Sequence, residues 1–151
     1  MCGIYIGREG SYKGQMKHRG ISTRKQILRG LDIIHEHLPI QSSKLDNPII
    51  NNKDVIILFN GELFADDIEN DIEYIRDLAK CYNGIKHFVN TVKDIDGFYS
   101  FIVLEKHTDK IHVFTDPLGK KQLYYSNVGI SSELRPLVSK RSKYNEHTFN
   151  D

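Results

Sequence analysis

The chain has 151 residues, 39% of them hydrophobic and 27% charged, which is the composition of one globular domain with its own core. A net charge of +1, from 21 Lys and Arg against 20 Asp and Glu, indicates no bulk attraction to nucleic acid or membrane. No stretch has the apolar length of a membrane span or signal peptide, and two cysteines make a poor disulfide framework. These properties predict a soluble cytoplasmic protein.

The first predicted element is a short buried strand at residues 2–7, where Ile, Tyr and Ile stand between two glycines. This strand would hold Cys2 at its leading edge. Residues 8–20 are polar and rich in Gly and Lys. They predict a loop with room for one short helical turn.

Residues 22–36 fit two different structures. Ser22 is a suitable cap for a helix whose apolar residues recur on one face, and the local pattern slightly favours this helix. Residues 31–38 also fit a strand, with Pro39 as its end.

The middle of the chain predicts one strand followed by two helices. Residues 55–59 are a continuous apolar run, as in a strand covered on both faces, and Asn60-Gly61 predicts a turn at its end. Apolar residues recur at helical spacing over 68–79, after two aspartates whose charges suit a helix N-terminus. A second helix is predicted over residues 85–92.

The last third predicts two β-hairpins, over residues 98–114 and 122–131, and then a polar tail at residues 139–151. The order of strands, two helices and strands predicts an α+β fold of layered sheets with helices outside. Cys81 lies beside the apolar face of the first predicted helix and is expected to be an inert core thiol.

Cys2 is the first candidate for chemistry. Once Met1 is removed, Cys2 carries a thiol and a free α-amino group, so a nucleophile and a base lie on one residue. A cysteine at this position also occurs by chance in many proteins. A catalytic role therefore requires an oxyanion hole and a substrate site elsewhere in the chain.

Asn60-Gly61 is the candidate for that oxyanion hole. The side-chain NH₂ of Asn60 and the backbone N–H of Gly61 are two donors of the kind that stabilise a tetrahedral intermediate. The same dipeptide is among the commonest turns, so these residues alone favour a plain turn.

Several short blocks occur together in a characteristic order. They are Met1-Cys2-Gly3-Ile4, His18-Arg19-Gly20, His35-x-His37-Leu38-Pro39-Ile40, Phe59-Asn60-Gly61-Glu62-Leu63, Asp96-Gly97-Phe98-Tyr99-Ser100-Phe101, Asp116-x-x-Gly119-Lys120, Leu123-Tyr124-Tyr125 and Ser131-Ser132-Glu133-Leu134. This series resembles the class II glutamine amidotransferase domain, most closely the glutaminase half of asparagine synthetases. The resemblance runs from residue 2 to about residue 138.

The resemblance implies an N-terminal-nucleophile hydrolase fold, a four-layer αββα sandwich formed by a domain of residues 1–138. It implies hydrolysis of glutamine to glutamate and ammonia with no cofactor and no metal, and a strand leading into His35. Asparagine synthetases continue into a nucleotide-binding half where this chain ends. We therefore expect the ammonia to pass to a synthetase subunit on a separate chain.

The resemblance also assigns roles by position. Cys2 is the nucleophile, and Asn60 with Gly61 forms the oxyanion hole. Glu62 lies beside the substrate, and Asp71 holds the α-amino group of glutamine.

His37 departs from the family, which has an arginine on the substrate carboxylate in a His-x-Arg-Leu pattern. An arginine is a bidentate and permanently charged clamp, whereas an ordinary histidine is mostly neutral at pH 7. Either His37 binds the carboxylate weakly, or another cation such as Arg19 helps, or glutamine is not the substrate. His35 and His37 could pair as metal ligands on one strand face, but no further ligand series accompanies them, so we expect no metal site.

Three functions therefore stay open. The first is a glutaminase domain that supplies ammonia to a synthetase. The second is a catalytically weak or inactive relative that serves as a binding or regulatory subunit. The third is an N-terminal-nucleophile hydrolase that acts on a different amide.

Overall fold

A computed structural model describes residues 2–39 and 47–138. Met1, Ile40 and the predicted polar tail at 139–151 lie outside the described residues, so the domain boundary at residue 138 stays a prediction. Within the described ranges, no helix is long and apolar enough to cross a membrane.

The described residues form nine strands and two α-helices. The strands are β1 Gly3–Arg8, β2 Ser22–Leu28, β3 Leu31–His37, β4 Ile50–Asn51, β5 Val55–Phe64, β6 Asp96–Glu105, β7 Ile111–Thr115, β8 Tyr124–Tyr125 and β9 Gly129–Ser131. The helices are α1 Asp71–Lys80 and α2 Ile85–Lys93, and Lys17–Arg19 form one 3₁₀ turn.

The strands form two antiparallel sheets. The five-stranded sheet has the order β2-β3-β1-β9-β8, so β1 lies at its centre, and the four-stranded sheet has the order β4-β5-β6-β7. The sheets pack face to face through a buried aliphatic layer, formed by Ile4, Ile6, Ile33, Ile49, Ile56, Leu58, Ile102 and Leu104. Burial of these side chains is the main force that joins the two sheets.

The outer faces of the two sheets are covered differently. Helices α1 and α2 pack on the four-stranded sheet through an aromatic-rich cluster that includes Phe88 and Phe101. The loop that carries the 3₁₀ turn covers the five-stranded sheet through Tyr12 and Met16. The predicted α+β sandwich is confirmed. In the described residues, one of its two outer layers is helical and a loop forms the other.

The uncertain region at residues 22–36 is a β-hairpin. Arg29 and Gly30, with φ of 51° and 75°, make the two-residue turn between β2 and β3. The strand that the resemblance implies is confirmed, and the helix that local periodicity favoured is wrong. Pairing of β3 with strands on both sides, β1 and β2, outweighs the weak helical pattern.

Two local predictions around α1 are wrong. The helix begins at Asp71, because the Asn70 side chain accepts a hydrogen bond from Glu73 N at 3.1 Å and caps it. The two aspartates at 66 and 67 precede this cap and lie outside the helix. Cys81 follows the last helical residue and is exposed, so it is not a core thiol.

Candidate active site

Cys2 lies just before the central strand β1, at one end of the space between the sheets. The alternation along β1 places Cys2 on the same face as Ile4 and Ile6, which belong to the layer between the sheets. Its thiol donates to the carbonyl of Leu38 at 3.6 Å, and the Leu38 N–H donates to Sγ at 3.3 Å. Burial raises the pKa of the thiol, while the hydrogen bond to Leu38 and the charge of Lys121 oppose this rise.

Asn60 and Gly61 lie inside β5, which continues to Phe64, so the predicted turn is wrong. Residues 55–64 pair with β6 along their whole length. Gly61 has φ of 144°, and a Cβ there would overlap the carbonyl oxygen of Phe98. Only glycine fits this distorted point of the strand.

Asn60 is buried and projects from β5 on the face that packs against the other sheet. It lies two positions after Leu58 and therefore on the same face of the strand, and Leu58 belongs to the layer between the sheets. The Oδ1 atom of Asn60 is buried and accepts no hydrogen bond within the described part of the chain. A buried amide oxygen without a partner is uncommon, and such groups often mark functional sites.

Cys2 and Asn60 line the same pocket, although they come from different sheets. The pocket has a volume of about 170 Å³, less than the roughly 300–1,000 Å³ of drug-sized ligand sites. Its lining is formed by Cys2, Arg19, Asn60, Lys120, Lys121, Gln122, Tyr124 and Ser132. Its size suits a ligand no larger than a small metabolite.

Three basic side chains, those of Arg19, Lys120 and Lys121, line this pocket. Arg19 lines it while its Nε donates to Glu133, which also lies 3.1 Å from His18 Nε2. The Lys121 ammonium is buried, 4.9 Å from the centroid of the Phe98 ring. Burial lowers the pKa of Lys121, and the carboxylate of Glu62 opposes this effect.

Sequence reasoning missed Lys121, although it follows the block Asp116-x-x-Gly119-Lys120. The signal that could have found it is Asp116. The Asp116 carboxylate accepts backbone hydrogen bonds from residues 118, 120 and 121, and this compact turn directs the segment into the pocket.

His35 and His37 project from β3 on one face and are both buried. His35 Nε2 lies 3.0 Å from the carbonyl oxygen of Phe59, and burial with the charge of His37 lowers the His35 pKa to about 3. The two rings meet edge to face with centroids 5.4 Å apart. His35 is therefore a neutral ring at physiological pH, and His37 lies beside Cys2 with donor atoms within 4.8 Å.

Asp71 and Glu62 lie near one another outside the lining of the Cys2 pocket. Asp71 accepts a hydrogen bond from Leu63 N at 3.4 Å. Burial raises the Asp71 pKa to about 6, and the negative charge of Glu62 adds to this rise. Glu62 also acts electrostatically on Lys121. Of the predicted site residues, the structure thus groups Cys2, Asn60 and Arg19 in one pocket.

The fold and the pocket together indicate a class of protein. The protein is a two-sheet α+β sandwich with a cysteine just before its central strand, an arrangement consistent with the N-terminal-nucleophile hydrolase fold. Residues 34–139 match the model of the glutamine amidotransferase domain family. The chain belongs to that family.

Two relatives support the assignment of the chain to this family. A nodule asparagine synthetase (glutamine-hydrolysing) of Pisum sativum is 26% identical over 138 residues, which cover 82% of this chain and 24% of that protein. An asparagine synthetase domain-containing protein of Saccharomyces cerevisiae is 28% identical over 71 residues, covering 45% of this chain and 14% of that protein. The chain thus spans about a quarter or less of the length of these relatives.

Proposed function

We propose that this domain hydrolyses L-glutamine to glutamate and ammonia through a thioester on Cys2, as a class II glutamine amidotransferase. One observation carries the proposal: Cys2 and Asn60, 58 positions apart, line the same small pocket. Because a cysteine nucleophile and an amide donor are the minimum for acyl transfer, their meeting supports this reaction class.

The mechanism requires that Met1 has already been removed, which leaves Cys2 with a free α-amino group. An α-amino group has a pKa of about 7.7–8.0, so it accepts the thiol proton near neutral pH. The thiolate attacks the side-chain carbonyl carbon of glutamine, and the oxyanion receives hydrogen bonds from Asn60 Nδ2 and Gly61 N. Ammonia leaves with the proton from the amine, and water then hydrolyses the thioester to glutamate.

The glutamine backbone groups bind around this centre. Lys121 and Arg19 supply positive charge for the α-carboxylate, and His37, whose donor atom lies within 4.8 Å of the Cys2 sulfur, assists them. Glu62, which acts electrostatically on the pocket residue Lys121, and Asp71 supply negative charge for the α-amino group from outside the pocket lining. The charges therefore complement a substrate that carries both an ammonium and a carboxylate.

Glutamate production from glutamine tests the proposal directly. We expect Cys2→Ala to abolish it and Cys81→Ala, which removes the exposed thiol, to leave it unchanged. Intact mass of the purified protein, before and after a glutamine-analogue alkylator, checks that Met1 is absent and that Cys2 is labelled. Retention of Met1 in an active protein would contradict the role of the amine.

A second function, a catalytically weak binding or regulatory subunit, is favoured by His37 in place of the family arginine. A histidine loses the bidentate contact to the carboxylate, which lowers affinity for glutamine. Saturable binding of glutamine without glutamate production would select this alternative. A rise in turnover in His37→Arg would show that the weakness lies in carboxylate binding.

We further propose that the ammonia passes to a synthetase subunit on a separate chain, and that the reaction takes place in the cytoplasm. The relation to asparagine synthetases supports an ammonia acceptor, and two cysteines that form no disulfide are typical of a reducing compartment. Glutamate production that rises when a candidate synthetase and its substrates are added would support transfer between chains.

A further inference from the structure

Cys2, His35 and His37 bring three donor atoms together at the end of the space between the sheets. One sulfur and two ring nitrogens, one from each residue, lie within 4.8 Å of one another. Donors on one tetrahedral zinc lie roughly 3–4 Å apart, because the bonds to it are about 2.0–2.3 Å long. An approach of about 1 Å by the three side chains would therefore bring them into ligand positions.

The hydrogen bond from His35 to Phe59 leaves the second ring nitrogen of His35 able to bind a metal ion. A carbonyl oxygen can only accept, so the bond from His35 Nε2 to Phe59 O at 3.0 Å places the ring hydrogen on Nε2. The other nitrogen, Nδ1, is buried and has no hydrogen-bond partner among the described residues, and the His35 residue is 1% exposed. A ring nitrogen oriented by a backbone carbonyl is the usual second-shell arrangement of a metal-bound histidine.

The Cys2 sulfur is also suited to bind a metal ion. The N–H of Leu38 points at Sγ from 3.3 Å, which favours a thiolate once the thiol proton is lost. Cys2 also lines the pocket, which gives an ion a path to the sulfur. Cys2 thus offers a third donor beside the two histidines, which the spacing along the sequence does not indicate.

We propose that Cys2, His35 and His37 form a binding site for a zinc ion, with the fourth coordination position open to the pocket. Thiolate and imidazole are the donors that zinc prefers, and binding would release the thiol proton. The site depends on His37, because the arginine of the family at this position carries a positive charge and offers no lone pair.

Occupation of this site would inhibit glutamine hydrolysis, since sulfur bound to zinc is no longer available to attack an amide. This consequence depends on the proposed function, whereas zinc binding itself does not. Arg19 and Lys121 place positive charge near the pocket, so binding requires the thiolate to offset their repulsion.

Zinc titration of the Cys81→Ser protein, without glutamine, tests the site. Cys81 is the second of two cysteines, so any thiolate-to-metal signal then comes from Cys2. We expect one zinc per chain by competition with a chromophoric chelator, and a thiolate-to-cobalt absorption band when Co²⁺ replaces it. His37→Arg and His35→Gln should each weaken zinc binding at least about tenfold.

His107→Ala is the matched control, because His107 is exposed and paired with Asp54 at 3.2 Å. It should leave zinc affinity unchanged, and circular dichroism should show every variant folded. Affinity that depends on Cys2 but not on either histidine would reflect chelation by the chain terminus and overturn the proposal. In a protein active on glutamine, one equivalent of zinc should abolish glutamate production and a chelator should restore it. A binding result without activity would leave the zinc site established and count against the glutaminase function alone.

Discussion

At the scale of single residues, substitution of Asn60 most clearly distinguishes a role in the chemical step from a role in substrate binding. Its amide would contact the oxyanion only after the thiolate attacks, so Asn60→Ala should lower kcat by about 10²–10³ with little change in KM. Steady-state kinetics with glutamine measure both constants. Asn90→Ala removes an exposed amide on α2 and should change neither. A rise in KM at constant kcat would instead place Asn60 in substrate binding.

Cys2 and Lys121 provide a prediction about pH. Burial holds the pKa of the Cys2 thiol above its ordinary value, so less thiolate is present at neutral pH than in an exposed cysteine. The charge of Lys121 opposes this effect. Alkylation of Cys2 in Cys81→Ser should therefore increase with pH through a midpoint above the ordinary range, and Lys121→Met should move the midpoint higher.

The pH profile of iodoacetamide labelling, followed by mass, measures this midpoint. Lys120→Met is the matched control, because Lys120 lines the same pocket but is not among the charges that act on the Cys2 thiol. A midpoint that falls in Lys121→Met would contradict the electrostatic role assigned to Lys121.

At the scale of elements, the N-terminus of α1 contains a buried carboxyl. Burial raises the pKa of Asp71 from 3.8 to about 6 in the folded protein. Folding therefore takes up a proton between about pH 4 and 6, and this contribution to stability is lost as the pH rises through that window. Asp71→Asn should gain stability relative to the unchanged protein on going from pH 4 to pH 7, by at most about 3 kcal/mol.

Urea unfolding at both pH values measures this difference. Asp77→Asn, which removes an exposed carboxylate from the same helix, is the matched control. The N-terminus of a helix stabilises an ionised carboxylate, and this stabilisation reduces the free energy that Asp71→Asn gains at pH 7. If Asp71 also holds the α-amino group of glutamine, the same variant should raise KM for glutamine.

The elements show which features a sequence can predict. Apolar runs and helical periodicity predicted the strand at 55–59 and the helix at 85–92. Burial of both faces of a strand, or of one face of a helix, leaves a regular pattern of apolar residues in the sequence. The prediction of a turn at Asn60-Gly61 was wrong because glycine is common in two settings. It occurs in turns, and it occurs in strands at points that another backbone approaches closely. Local sequence cannot distinguish these two uses, since the second depends on Phe98 in a strand far along the chain.

At the scale of the whole molecule, the pocket is assembled from segments that are far apart in sequence. Order of short blocks pointed to Cys2 and Asn60, whose meeting requires two sheets to pack face to face. Lys121 and the nearness of His35 and His37 to Cys2 depend on side-chain positions that no spacing along the chain encodes. The sequence therefore pointed to Cys2 and Asn60 but not to Lys121 in the same pocket.

The packing between the sheets should then control catalysis as well as stability. Leu58 lies in the layer between the sheets on the same face of β5 as Asn60, whereas Ile57 faces the helices. Both side chains are fully buried, so Leu58→Ala and Ile57→Ala should each lower the free energy of unfolding by about 2–5 kcal/mol. Only the cavity at Leu58 lies where it can change the separation of Cys2 from Asn60.

We therefore expect Leu58→Ala to lower kcat for glutamine and Ile57→Ala to leave it close to the original value, at a temperature where both variants are folded. Misplacement of reacting groups by about 1 Å can cost roughly 10²-fold in rate, so a modest loosening between the sheets is measurable. Urea unfolding and steady-state kinetics on the same samples separate stability from activity. Equal losses of kcat in both variants would mean that overall stability, and not the distance between the two sheets, limits the reaction.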